Sequence, residues 1–158
     1  LVSKLVAGLA VSILQVYVFL GVAWLWEVEP PLVGYLAILP ALVLCGLLFG
    51  SIGLLLSSLV KQLENFAGVM NFVIFPMYFA SSALYPLWRV RESSPLLYYV
   101  CLWNPFTHAV ELIRFALHGQ MNWMALAIVT VTTAVFLTAA IIAYDPVRGL
   151  IAKRGAPE

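Results

Sequence analysis

His108, Glu111 and His118 come nearest, by type and spacing, to a catalytic or metal-binding arrangement in this chain. Imidazole and carboxylate groups bind metal ions and transfer protons, so an H-x-x-E pattern followed by a second histidine could serve either purpose. The spacing matches none of the zinc-binding helix motifs, and the chain contains no G-x-S-x-G or other nucleophile motif. The sequence therefore predicts no catalytic residue, metal ligand or bound cofactor. A membrane enzyme using His108 and Glu111 is the least favoured interpretation.

The same segment carries a pair of opposite charges. Asn104-Pro105 is typical of a helix start, because asparagine caps free backbone amides and proline fits the first helical turn. In the helix that follows, one narrow stripe carries polar side chains: Thr107, Glu111, Arg114 and His118. Glu111 and Arg114 are three residues apart and can pair, which makes burial of either charge tolerable. We interpret them as a structural ion pair.

A second set of polar residues precedes this helix. Asn71, Tyr78 and Ser82 lie close to one helical direction if a helix continues through Pro76. Polar groups inside a membrane are costly unless they face protein or water. The stripe therefore either lines a pathway or forms hydrogen bonds between neighbouring helices, and the pattern alone does not separate the two.

The composition indicates whether these residues lie in a soluble domain or in a membrane protein. Of the 158 residues, 64% are hydrophobic and 9% are charged, whereas about a quarter of the residues of a soluble domain are charged. The chain is therefore predicted to be an all-α integral membrane protein. Its lysines and arginines form no basic run longer than two residues, so nucleic acid is not an expected partner. Cys45 and Cys101 match no metal or redox spacing and are interpreted as buried thiols.

Four stretches reach the ~20 apolar residues that a helix needs to cross ~30 Å of hydrocarbon. They are about 5–26, 32–60, 66–84 and 123–144. The segment between the last two, 85–122, is predicted to be an extracytoplasmic insert of short re-entrant helices, and 145–158 to be a tail. The chain is thus predicted to be one transmembrane domain over 1–158.

Prolines and small residues predict how the spans bend and pack. Pro40, Pro76 and Pro86, with Asn104 and Pro105, are candidate hinge or gate positions, and Pro76 is expected to interrupt the third span. A face of small residues in the second span favours close helix packing. It consists of Gly46, Gly50, Gly53 and Ser57.

The basic residues predict an orientation, since they are enriched on the cytoplasmic side of membrane proteins. With the start of the first span in the cytoplasm, five basic residues lie inside: Lys4, Lys61, Arg148, Lys153 and Arg154. Three lie outside: Arg89, Arg91 and Arg114. Glu27 and Glu29 then lie in the first outer loop.

The stretch FPMYFASSALYPLW, followed by NPFTHAVELIR, resembles the permease subunit of type-2 ABC transporters of the export type. The matching elements are Pro76 in a broken span, the turn Ser81–Pro86, Asn104–Thr107 at a helix start, and Arg114. Ser81-Ser82 stands where the family pattern usually has Ser-Gly. The resemblance follows the order of elements along nearly the whole chain.

This resemblance implies a six-span permease whose third to sixth spans are present, with two spans and a cytoplasmic coupling helix before Leu1. It also implies a dimer of permeases in a bacterial cytoplasmic membrane, driven by a separate cytoplasmic ATPase that binds ATP and Mg²⁺. The chain has no G-x-x-x-x-G-K-[ST] motif and so cannot bind ATP through a P-loop. A secondary transporter or channel is the alternative, although the span interiors carry almost no ionisable residues.

Overall fold

The computed structural model describes residues 2–27, 31–60 and 63–143. In these ranges the fold is all-helical, as predicted, and no strand occurs. The helices in chain order are α1 (Val2–Leu25), α2 (Leu32–Leu59), α3 (Leu63–Phe79), α4 (Leu87–Ser93), α5 (Pro95–Trp103), α6 (Pro105–Leu117) and α7 (Trp123–Ala143). Of the predicted features, Glu29, Lys61 and the tail with Arg148, Lys153 and Arg154 lie outside the described residues.

Three of the described helices are long and apolar enough to cross a membrane, namely α1, α2 and α7. Their bounds agree with the predicted spans 5–26, 32–60 and 123–144 to within a few residues. At 1.5 Å per residue, the 28 residues of α2 extend over about 42 Å, well beyond the hydrocarbon thickness. The helix continues through Pro40, and the predicted bend there stays a prediction.

The core forms around α2, which contacts α1, α6 and α7 along its length. Its buried residues recur three or four positions apart and so form one helical face. Against that face pack short runs of buried residues from α6 and α7, giving one cluster: Ala41, Cys45, Leu48, Ile52, Ala109, Leu112, Ala116, Ala125 and Val129. A smaller cluster joins Leu20 of α1 to Ile38 and Leu42 of α2.

The third predicted span, 66–84, differs most from expectation. α3 has 17 residues, or about 25 Å, and it ends at Phe79. The helix passes through Pro76, so the predicted interruption at that proline is wrong. The break lies three residues later, where a turn over residues 80–85 leads to Pro86 at the start of α4.

The predicted insert contains a pair of helices that enters the bundle. α6 runs antiparallel to residues 34–49 of α2: Phe106 lies 5.0 Å from Phe49 between ring centroids, and Leu117 touches Gly34. Trp103, at the end of α5, lines a groove with Phe136 of α7. Since Phe49 and Phe136 lie well inside their helices, the joint between α5 and α6 sits beside the middle of the spans. That the two helices are re-entrant in a membrane stays a prediction.

Small residues determine how closely the helices approach. A Cβ atom on Gly34 would overlap the backbone carbonyl of Leu117, so only glycine fits where α2 meets the end of α6. Gly46 and Gly50 lie beneath the side chains of Leu9 and Leu5 of α1. A Cβ atom on Gly53 would meet nothing within 4 Å, and Ser57 is exposed. The small face predicted from the sequence is therefore in contact with α1 over its first half.

Candidate functional site

Asn104 joins the broken end of α3 to the start of α6. Its Oδ1 accepts a hydrogen bond from the backbone N–H of Phe106 at 3.0 Å, which caps α6 as the sequence predicts. Its Nδ2 donates to the carbonyls of Met77 at 2.6 Å and Ala80 at 2.8 Å. Helix ends leave their last carbonyls without partners, and inside an apolar bundle such groups need a donor. The Asn104 amide is that donor, so α3 can end inside the bundle.

The turn after α3 satisfies its remaining polar groups through two serines. Ser81 Oγ donates to the carbonyl of Tyr78 at 2.6 Å and accepts from the N–H of Ala83 at 3.2 Å. Ser82 Oγ lies 3.4 Å from the carbonyl of Thr107 in α6. Both serine side chains are buried. Ser82 is therefore placed against α6 and away from the helical stripe that was predicted to continue from Tyr78.

Arg114 connects the same turn to the other side of α6. Its Nη1 donates to Glu111 Oε1 at 2.9 Å, and its Nη2 donates to the carbonyl of Ser82 at 3.0 Å. The Glu111 side chain is 15% exposed and that of Arg114 is 42% exposed. The guanidinium thus bridges a carboxylate and a backbone carbonyl, and its planar fork suits this task better than an ammonium group would. The contact to Ser82 is one that the sequence did not predict.

The two histidines have local partners. His108 Nε2 lies 2.8 Å from the carbonyl of Leu102, and His118 Nδ1 lies 2.8 Å from the carbonyl of Arg114. Within the described ranges, no three His, Cys, Asp or Glu side chains form a group that could hold a metal ion. His108 therefore contacts the end of α5, and Glu111 contacts Arg114 within α6.

The remaining predicted pathway residues lie on the outer face of α3. Asn71 and Tyr78 are both exposed in the isolated chain. They are seven residues apart and so share one side of the helix. The Tyr78 ring packs edge-on against Phe106 at 5.8 Å, which places it beside the joint held by Asn104. Their role as pathway-lining residues stays a prediction.

Sequence reasoning missed Gly34, whose contact with Leu117 holds α6 against α2. A lone glycine near a helix start gives little signal of such a contact. The turn at Ser81–Pro86, in contrast, was expected from the family resemblance, and the bond between Ser81 and the N–H of Ala83 is typical of a serine turn.

Three apolar helices long enough to cross a membrane, packed with the shorter helices α3 to α6, fit the architecture of a polytopic membrane protein. Residues 1–118 match the ABC-2 type transporter family, which covers well over half of the chain. The protein belongs to this family of membrane transport subunits, and the resemblance found in its sequence is confirmed.

Curated relatives match over part of the chain. Nodulation protein J of Rhizobium leguminosarum bv. viciae is 30% identical over 83 residues, which are 52% of this chain and 30% of that protein. The proteins of the same name from Neorhizobium galegae and from R. leguminosarum bv. trifolii are 29% and 30% identical over the same shares. The match therefore spans less than a third of each relative's length. No solved structure gives a significant match.

Proposed function

We propose that the chain is the permease part of an ABC exporter, in which it forms the wall of the translocation pathway while a separate cytoplasmic ATPase binds ATP and Mg²⁺ and drives the cycle. The chain itself binds no cofactor in this proposal. It works as a homodimer in a bacterial cytoplasmic membrane, with Lys4 at the cytoplasmic side. Family membership supports the transport role, and the lack of a P-loop motif in the sequence supports a separate ATPase.

The observation that carries the proposal is the outer face of α3. α3 makes few contacts with the rest of the bundle, all of the substantial ones with α2. Its exposed surface includes the amide of Asn71 and part of the phenol of Tyr78, whose ring also packs edge-on against Phe106. Because such groups are costly against lipid, this surface is best satisfied by a hydrated pathway between two copies. α3 is then the wall of the pathway.

The joint at Asn104 connects α3 to α6 and, through α6, to α2. Asn104 and Arg114 tie the end of α3 and the following turn to α6, and α6 packs on α2. Movement of α3 would therefore carry the re-entrant pair with it as one body. We assign the gate to this joint, with Pro86, Asn104 and Pro105 at its edges.

Thiol accessibility tests the pathway. We expect Asn71→Cys and Tyr78→Cys, in the full-length protein in membrane vesicles, to react with a water-soluble, membrane-impermeant maleimide. Phe72→Cys is the matched control: Phe72 is 81% exposed in the isolated chain but points about 100° away from Asn71 around the helix, and we expect it to stay unlabelled. Cys45 and Cys101 are buried and should contribute little background. Equal labelling of all three positions would overturn the pathway assignment.

ATP coupling tests the class of transporter. The full-length protein, reconstituted with a candidate ABC ATPase, should raise or couple that enzyme's ATP hydrolysis. A transport activity that depends on an ion gradient and runs without ATP would instead identify a secondary transporter.

A further inference from the structure

We infer that the groove between α1 and α2 binds one anionic phospholipid from the leaflet on the Lys4 side, with an acyl chain in the groove and the phosphate on the Lys4 ammonium. The inference does not rest on the proposed transport function. It concerns the surface where α1 meets α2, to which α6 adds Ile113.

The groove has the size and lining of a binding site for an acyl chain. Its volume is about 340 Å³, within the range typical of ligand sites. The walls are apolar side chains and the small residues Gly8, Ser12, Gly46 and Gly50. The only hydroxyl among the described lining residues, that of Ser12, donates to the carbonyl of Gly8 at 2.9 Å. An apolar occupant therefore leaves no polar lining group without a partner.

The length of the groove matches one leaflet. On α1 the lining runs from Lys4 to Ile13, a rise of nine residue steps or about 13.5 Å. Half of the ~30 Å hydrocarbon core is about 15 Å. A chain that begins at Lys4 would thus reach close to the middle of the bilayer.

The positive charge of Lys4 determines which lipid headgroup the groove prefers. Lys4 is the one charged residue among the described lining residues, and it stands at the end of the groove. Trp24 and Trp26 mark the other end of α1, so Lys4 lies at the opposite membrane surface. A cation at the surface end of an apolar groove between two spans complements a lipid phosphate. A zwitterionic headgroup would cancel part of that attraction, so the site should prefer an anionic lipid.

Native mass spectrometry of the full-length protein tests the inference. The protein is equilibrated in detergent with equal amounts of phosphatidylglycerol and phosphatidylcholine carrying the same acyl chains. We expect wild type to retain phosphatidylglycerol preferentially. Lys4→Gln should lower that retention about fivefold, the effect of one basic residue near a lipid surface, and Lys4→Arg should preserve it.

Two glycine variants separate the groove from the general lipid surface. Gly8 and Gly21 both lie on α1 with nothing within 4 Å of a Cβ position, so both accept a larger side chain. Gly8 lines the groove and Gly21 does not. Gly8→Leu should reduce the retention of both lipids at this site, and Gly21→Leu should leave it at the wild-type level.

Three results would overturn the inference. In one, wild type shows no preference for phosphatidylglycerol, as it would if another protein segment or a second copy filled the groove. In the second, Lys4→Gln retains as much of the anionic lipid as wild type. In the third, the two leucine variants behave alike, which would assign the retained lipid to the general surface of α1.

Discussion

Asn104 stabilises two helix ends at once, since one amide caps the start of α6 and occupies two carbonyls at the end of α3. The sequence predicts the first role, because Asn-Pro before an amphipathic run is a local signal. The second role depends on residues 24 and 27 positions away. No local sequence pattern predicts this contact with the end of α3.

Removal of that side chain should cost more than the loss of an ordinary cap. We expect Asn104→Ala to destabilise the protein by about 2–3 kcal/mol, because it removes a cap and leaves two carbonyls without a donor. Asn122→Ala is the matched control: Asn122 Oδ1 accepts only from the N–H of Ala125, and its loss should cost about 1 kcal/mol. Thermal unfolding in detergent compares the two, and equal midpoints would show that the link to α3 adds nothing.

Arg114 should matter more for stability than His118. Arg114→Ala removes bonds to Glu111 and Ser82 and leaves a poorly exposed carboxylate without its partner, at a cost of about 1–3 kcal/mol. His118 contacts only the carbonyl of Arg114 within its own helix, so His118→Ala should change stability by about 0.5 kcal/mol or less.

A double variant tests whether the unpaired Glu111 carboxylate causes the instability of Arg114→Ala. If the stranded charge causes the loss, Glu111→Gln combined with Arg114→Ala should be more stable than Arg114→Ala alone. The same unfolding midpoints, measured for the four proteins of this cycle, give the pairing energy. A double variant less stable than Arg114→Ala would contradict the ion pair as the dominant contact.

At the scale of elements, long apolar helices were predictable and the short ones were less so. The bounds of α1, α2 and α7 follow from apolar length alone, since nothing polar interrupts them. The end of α3 does not: Pro76 is the obvious local breaker, yet the helix passes it and ends at Phe79. There Ser81 donates locally to the carbonyl of Tyr78, whereas Asn104 donates to the carbonyls of Met77 and Ala80 from 27 and 24 positions away. The Asn104 contact is tertiary, and the sequence around Phe79 does not contain it.

The packing of α2 on α6 depends on one glycine. Gly34→Ala would force a methyl group into the carbonyl of Leu117, a backbone atom that cannot rotate away. We expect loss of about 2 kcal/mol or more, as for other overpacked sites, and reduced yield of folded protein. Gly53→Ala, in the same helix with open space around it, should be neutral or slightly stabilising because alanine favours helix. Comparable yields and unfolding midpoints for the two variants would show that α2 and α6 are not in close contact.

At the scale of the whole molecule, α5 and α6 meet at a joint inside the bundle. The sequence predicts short re-entrant helices in an extracytoplasmic region, 85–122. The contact between Phe106 and Phe49, and the groove shared by Trp103 and Phe136, set the apex of this helix pair beside the middle of α2 and α7. The apolar sequence of α5 agrees with a position inside the bundle. It does not predict that position, which follows from the contacts of α6 with α2 and of Trp103 with the α7 groove.

Trp103 and Trp123 allow that depth to be measured. Trp123 begins α7, and Phe136 beside Trp103 lies 13 residues further along, or about 20 Å. Both tryptophans are exposed in the isolated chain, at 86% and 72%. In full-length protein with every other tryptophan replaced by phenylalanine, we expect Trp103 to be quenched more by lipids brominated deep in the acyl chain. Trp123 should be quenched more by lipids brominated near the headgroup, as interfacial tryptophans are. Stronger quenching of both residues by shallow bromines would place α5 and α6 at the membrane surface. In that case α6 could not pack along residues 34–49 of α2 in the bilayer as it does in this structure.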